Sequence, residues 1–147
     1  MKTIIKSNIT EALHNIGLES GDTVMVHTSL SQIGYVCGGA RAVIEALIEV
    51  VGDEGTIMMP TQLWKNLDPE TGVHWEVDES DWDIIRSNWP PYDKAITPTN
   101  TMGAVSEMFR SWPGTIRSDH PARSVAAWGK EFKMTLSIFY KSFIFHA

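Results

Sequence analysis

The most constraining feature of this sequence is a strand–helix–strand pattern between residues 23 and 60. Residues 23–27 (TVMVH) and 56–60 (TIMMP) are short apolar runs bounded by turn residues, so each is predicted to be a buried strand. Between them, apolar residues recur at helical spacing over 43–51, and the pattern stops at Gly52. This order favours a βαβ unit, in which the two strands are parallel and the crossover is right-handed. The chain is therefore predicted to have an α/β fold.

Further elements are indicated on both sides of this unit. Apolar spacing over 5–16 predicts an N-terminal helix that Gly17 ends. A later helix is expected to be capped by Asn100 or Thr101 and to end before Pro113. Residues 124–129 are predicted to be a third strand. Residues 62–101 hold four of the six tryptophans without sustained periodicity, which predicts a long, partly ordered excursion.

Composition excludes several classes of function. The chain has 12 Lys and Arg against 18 Asp and Glu, a formal charge of -6, and its basic residues do not cluster, so nucleic acid is not an expected partner. No apolar stretch is long enough to span a membrane, and residues 1–6 lack the features of a secretory signal. The lone Cys37 permits no internal disulfide, and we expect it to be a buried structural thiol. These features predict a cytoplasmic protein with no membrane partner.

Residues 28–39 (TSLSQIGYVCGG) form a loop that is a candidate anion site. The loop follows the first predicted strand, and ligands of open α/β sheets bind at the carboxyl ends of strands. Gly38 and Gly39 allow close approach of the backbone, the next helix offers free amides, and Ser29 and Ser31 add hydroxyl groups. No dinucleotide fingerprint and no P-loop is present, so an ordinary connecting loop is an equal alternative.

Residues 117–124 (RSDHPARS) concentrate polar chemistry just before the third predicted strand. Arginine suits the recognition of phosphate or carboxylate, and His120 could act as a general base near neutral pH. The alternative, which the pattern alone favours, is a loop whose arginines pair with local acids and whose histidine caps a backbone group.

An acidic stretch lies in residues 62–101, the middle section of the chain. Between Asn66 and Ile85 there is no Lys or Arg, and Trp75, Trp82 and Trp89 accompany seven carboxylates: Asp68, Glu70, Glu76, Asp78, Glu79, Asp81 and Asp83. Carboxylates beside aromatic faces suit a polyamine ligand. The alternative is a solvated loop.

Several motifs in series resemble the aminoglycoside 3-N-acetyltransferase (antibiotic N-acetyltransferase) family. They occur in the expected order, from about Ile9 to Gly129. They are VHTSLSQIG at 26–34 with Gly38-Gly39, GTIMMPT at 55–61, WPPYD at 89–93, Met102-Gly103, Phe109-Arg110, and RSDHP at 117–121 with Ser124, Ala127 and Gly129.

This resemblance implies a single α/β/α layered domain over residues 1–130, with a mixed or mostly parallel sheet. It implies transfer of an acetyl group from acetyl-CoA to the 3-amino group of a 2-deoxystreptamine aminoglycoside, a resistance reaction that requires no metal. The residues expected to bind CoA are Ser29, Leu30, Ser31, Val36, Gly38, Gly39, Ser118 and Ser124. His120 would lie beside the reaction centre. The residues expected to face the aminoglycoside are Asp68, Glu70, Trp75 and Glu76.

The chain also departs from the family pattern. Family members are nearly twice as long, and their Gly-Ser-Pro motif and their Leu-His-x-Ala-Glu motif, which holds the expected catalytic base, are missing here. Residues 131–147 resemble nothing in the family, as a frameshift would produce. We therefore expect impaired activity, with a non-catalytic CoA- or aminoglycoside-binding fragment as the alternative. The apolar, β-prone tail predicts homodimerisation or aggregation.

Overall fold

The computed structural model describes residues 2–73 and 75–130. It contains six strands: β1 (Thr3–Ile4), β2 (Thr23–Met25), β3 (Tyr35–Val36), β4 (Thr56–Pro60), β5 (Ile116–Arg117) and β6 (Val125–Gly129). The main sheet has the order β2–β4–β6–β5, and β1 pairs with β3 separately. Strands β2 and β4 are parallel, whereas β6 runs antiparallel to both of its neighbours. The predicted βαβ unit and third strand are thus confirmed, and the sheet is mixed.

The helices follow the apolar spacing closely in the first half of the chain. They are α1 (Lys6–Asn15), α2 (Leu30–Ile33), α3 (Gly39–Val51), α4 (Trp82–Asn88) and α5 (Gly103–Phe109). The cap predicted for α5 is wrong, because that helix starts at Gly103 with Met102 before it. The amide of Asn100 donates instead to the carbonyl of Gln62, and Thr101 has a φ of 63°, so neither side chain is placed to cap.

The core lies between the sheet and the helical layer formed by α1, α3 and α5. Ile44 and Val51 of α3 are fully buried against Ile57 and Met59 of β4 and Phe109 of α5. Each such side chain contributes roughly 1.5–3 kcal/mol by leaving water. Because strand side chains alternate, the opposite face of the sheet carries a smaller cluster: Met25, Met58, Val125 and Ala127. The α/β architecture expected from the sequence is confirmed.

The middle section is more ordered than the sequence indicated. Single 3₁₀ turns occur at Trp64–Asn66, Pro69–Thr71 and Glu79–Asp81, and α4 follows. These elements are too short to produce a readable period, so the sequence indicated a partly ordered excursion without locating them. Within the two described ranges, no helix has the length and apolar character needed to cross a membrane. The predictions made for residues 131–147 fall outside those ranges.

Candidate functional site

One edge of the sheet collects the polar segments that the sequence indicated. Because β2 and β4 are parallel, the loop after β2 and Thr61 after β4 leave from the same edge. Val125 pairs with Pro60 in antiparallel register, so the 118–124 loop returns to the sheet at that edge. Ligands of open α/β sheets bind at the carboxyl ends of strands. This edge is therefore the candidate site.

The 28–39 loop is partly closed by its own backbone hydrogen bonds. Val36 pairs with Ile4 in the small parallel sheet, and the Cys37 amide donates to the Ile4 carbonyl at 2.8 Å. Val36 is only 6% exposed and belongs to the core, so its side chain packs inside the protein. Cys37 is exposed, which makes the prediction of a buried thiol wrong.

The remaining parts of that loop present polar groups to solvent. Ser29 and Ser31 are exposed, and their hydroxyl oxygens lie 3.1 Å apart. Leu30 is half-buried and packs against the core, so it anchors the loop. Gly38 and Gly39 have φ values of 85° and 56°, a conformation that favours glycine. They lead into the first turn of α3, whose amides lack helical partners.

Arg117 is buried at 3% exposure and bonds to backbone carbonyls rather than to a ligand. Its guanidinium donates to the Thr61 carbonyl at 2.7 Å, to the Thr97 carbonyl and to the Ser124 hydroxyl at 3.0 Å. It also lies 5.3 Å from the centre of the Tyr92 ring. Burial lowers the pKa of Arg117 from its usual value. This residue therefore ties three segments together, and its donors are used within the protein.

The two serines of the second loop have different environments. Ser124 is fully buried, and its hydroxyl donates to the Thr61 carbonyl at 2.6 Å, so it has no surface for CoA in this structure. Ser118 is half-buried, and its hydroxyl accepts from the Val125 amide at 3.0 Å. Its carbonyl accepts from the Tyr92 hydroxyl at 2.8 Å.

His120 caps the backbone that follows it. Its Nδ1 accepts from the amides of Ala122 at 3.2 Å and Arg123 at 2.9 Å. A neutral imidazole whose Nδ1 accepts carries its proton on Nε2 and is therefore a donor at that atom. This geometry agrees with the alternative of a histidine that caps the backbone, and the general-base role stays a prediction.

The acidic stretch is neutralised in part by Arg86 on α4. Arg86 donates to both carboxylate oxygens of Asp68 at 2.8 and 2.9 Å, and it lies 3.5 Å from the Glu70 carboxylate. Trp75 donates from Nε1 to the Leu67 carbonyl at 3.1 Å. Glu76 is exposed. Asp68 and Glu70 thus lie against one side-chain cation, and Trp75 lines the same cavity as Asp68 and Arg86.

Two of the cavities in this middle section share part of their lining. The smaller, of about 230 Å³, is bounded by Asp68, Arg86, Trp75 and Trp89, among others. The larger, of about 480 Å³, is mostly apolar and is walled by Trp89, Pro90, Ile96, Thr97 and Asn100, among others. Asn66 and Trp89 line both cavities, and the Trp89 Nε1 donates to the Asn66 Oδ1 at 2.6 Å. Sequence reasoning missed this wall, although Trp89 and Pro90 belong to the WPPYD motif.

No cluster of three or more potential metal ligands occurs among residues 2–73 and 75–130.

The Asp68–Arg86 pair predicts a specific acid titration. The hydrogen bond from Arg86, with one from the Glu70 amide, holds the pKa of Asp68 at about 2. Because this pKa lies below the unfolded value of about 3.9, the pair stabilises the fold above about pH 4, and this contribution is lost as the pH falls toward 2. Carboxyl chemical shifts in NMR should show the pKa of Asp68 moving up toward its usual value in Arg86→Gln, although the bond from the Glu70 amide remains. An identical Asp68 titration in both proteins would contradict the assignment.

Comparison with known proteins assigns the family. The family described as aminoglycoside 3-N-acetyltransferase matches residues 25–136, which extends past Lys130, where the sequence motifs end. The chain is 52% identical over 126 residues to the SPbeta prophage-derived aminoglycoside N(3')-acetyltransferase-like protein YokD of Bacillus subtilis, covering 85% of this chain and 46% of YokD. It is 41% identical over 128 residues to aminoglycoside N(3)-acetyltransferase IX of Micromonospora chalcea, covering 86% of this chain and 44% of that enzyme. This chain belongs to the aminoglycoside 3-N-acetyltransferase family, a family of acyltransferases.

Solved structures agree with this assignment. The crystal structure of Bacillus subtilis YokD matches with a TM-score of 0.85 and 49% identity over 91% of this chain and 54% of that chain. AAC-IIIb in a binary complex with CoASH matches with a TM-score of 0.73 and 27% identity, over 92% of this chain and 49% of that one. AAC-VIa bound to sisomicin matches with a TM-score of 0.76 and 32% identity, over the same shares. The chain thus spans about half the length of its relatives.

Proposed function

We propose that this chain contributes to acetyl-CoA-dependent acetylation of the 3-amino group of 2-deoxystreptamine aminoglycosides, a reaction of antibiotic resistance. The observation that carries the proposal is the family match over residues 25–136, together with 52% identity to YokD. Small-molecule ligands are supported by the complexes of related proteins with CoASH and sisomicin. The cytoplasm is the proposed location, since both expected ligands would meet the enzyme there.

On the cofactor side, we assign CoA to the surface of the 28–39 loop. The hydroxyls of Ser29 and Ser31, the backbone at Gly38 and Gly39, and the first turn of α3 provide donors for phosphate oxygens. Ser118 borders the same sheet edge. Leu30, Val36 and Ser124 act as supports in this assignment, because the first packs against the core and the other two are buried.

On the chemical side, acetyl transfer requires a base for the ammonium proton and donors for the thioester oxygen as negative charge develops there. The engaged Nδ1 of His120 suits a donor role at Nε2 better than a base role. We therefore propose that His120 stabilises charge near the reaction centre and that this chain alone turns over slowly. Asp68, Glu70, Trp75 and Glu76 are proposed to face the aminoglycoside.

The cofactor assignment predicts weaker CoA binding when both loop serines are replaced. The Ser29→Ala/Ser31→Ala double variant should bind CoA about tenfold more weakly in calorimetric titration, because hydrogen bonds to charged groups are lost. Ser87→Ala is the matched control, since its hydroxyl only donates to the Asp83 carbonyl on α4. Absence of CoA binding by the folded wild-type chain would remove the assignment.

Turnover is tested by thiol release from acetyl-CoA in the presence of sisomicin. We expect slow acetylation or none. Rapid turnover would overturn the expectation of slow acetylation, and a rate that is unchanged in His120→Ala would overturn the proposed role of His120. Binding of CoA or sisomicin without any turnover would favour the alternative, a non-catalytic binding fragment.

A further inference from the structure

The side chain of Arg86 is surrounded by carboxylates of three different residues. It makes a two-point contact with Asp68, and it contacts Asp83 at 3.1 Å and Glu70 at 3.5 Å. The guanidinium also lies 5.7 Å from the centre of the Trp82 ring. A single protein cation thus occupies the carboxylate and aromatic positions that a cationic ligand would use.

A second protein cation completes this arrangement. The Lys65 ammonium lies 5.8 Å from the centre of the Trp75 ring, and Trp75 meets Trp89 edge-on with ring centres 5.0 Å apart. Lys65, Asp68, Arg86 and both of these tryptophans line the cavity of about 230 Å³. The charged residues lining that cavity therefore sum to one positive charge, although the surrounding stretch is acidic.

We infer that Arg86 determines the specificity of this cavity by competing with cationic ligands for Asp68. An ammonium group that reaches the Asp68 carboxylate has to displace a guanidinium that already uses both oxygens. Arg86 can release Asp68 without losing every partner, because Asp83 lies one turn earlier on α4 and Glu70 lies nearby. Ligand binding thus exchanges one partner of Arg86 and leaves the others in place. The inference rests on the proposed function, in which the ligand is an aminoglycoside.

The inference is tested by titrating sisomicin into Arg86→Gln and measuring heat at low salt. We expect binding to tighten about two- to fivefold relative to the wild-type chain, the range typical of an exposed ion pair. Arg41→Gln is the matched control, since it removes the same charge from an exposed pair with Glu45 on α3. Its affinity for sisomicin should stay near that of the wild type.

A double variant separates the Asp68 contact from general electrostatics. In Asp68→Asn, the further change Arg86→Gln should leave sisomicin affinity nearly unchanged, because the contested carboxylate is gone. Equal affinity of Arg86→Gln and wild type would overturn the inference while leaving the proposed function intact. Absence of sisomicin binding in every variant would also overturn it, and CoA titration would then decide the cofactor part of the function separately. Circular dichroism checks that each variant is folded.

Discussion

Gly129→Ala is expected to destabilise the chain by about 3 kcal/mol or more. Gly129 has a φ of 115°, a backbone conformation that residues with a side chain rarely adopt. A Cβ built there would lie 2.1 Å from the Gly55 carbonyl oxygen and 2.9 Å from the Thr56 Cα. Both obstacles are backbone atoms, and Gly129 pairs with Thr56 in the β4–β6 ladder. The two central strands would have to separate at this end to admit one methyl group.

Gly72→Ala provides the matched control for this prediction. Gly72 also has a positive φ, of 67°, but nothing lies within 4 Å of its added Cβ. The control should therefore lose only about 1–2 kcal/mol, from the strained backbone alone. Urea unfolding followed by tryptophan fluorescence measures both. Equal losses in the two variants would mean that the close contact at Gly55 does not constrain the sheet.

The parts of the fold that the sequence predicted are those with a local signal. Strand β4 was predicted at its observed bounds, and the apolar spacing of α3 ended at Gly52 as observed. Strands β1, β3 and β5 have two residues each, which is too short for any alternation to be read. The cap of α5 was mispredicted because the Asn100 amide is held by Gln62, a tertiary contact.

In the candidate site, too, the features with a local sequence signal were predicted and those that depend on tertiary contacts were not. Gly38 and Gly39 were recognised from residue type, and both adopt the conformation that requires glycine. The burial of Val36 and Ser124 depends on strand pairing and on Arg117, which no local pattern reveals. No local pattern reveals the role of Arg86, because it lies immediately after the acidic stretch and its partner Asp68 is eighteen residues earlier.

Arg117→Met is expected to cost about 3 kcal/mol in the free energy of unfolding. The change retains much of the volume but removes the donors to the Thr61 and Thr97 carbonyls and to the Ser124 hydroxyl. The main cost is the loss of several hydrogen bonds from a charged donor, since the Thr61 carbonyl keeps its bond from the Ser124 hydroxyl. Thr97 also lines the cavity of about 480 Å³. The variant therefore loses the link that Arg117 makes between this cavity wall and Thr61 at the end of β4.

Arg123→Met is the control for Arg117→Met, because Arg123 lies on the same loop, is half-buried and has its guanidinium 5.6 Å from the Trp64 ring centre. It should cost less than about 1 kcal/mol, as expected for a partly exposed cation–π contact. Arg117→Lys keeps the charge but not the planar fork, so it should restore only part of the loss. If lysine restored full stability, the charge beside Tyr92 would be what matters. The hydrogen bonds from the Arg117 guanidinium to Thr61, Thr97 and Ser124 would then be unnecessary for folding.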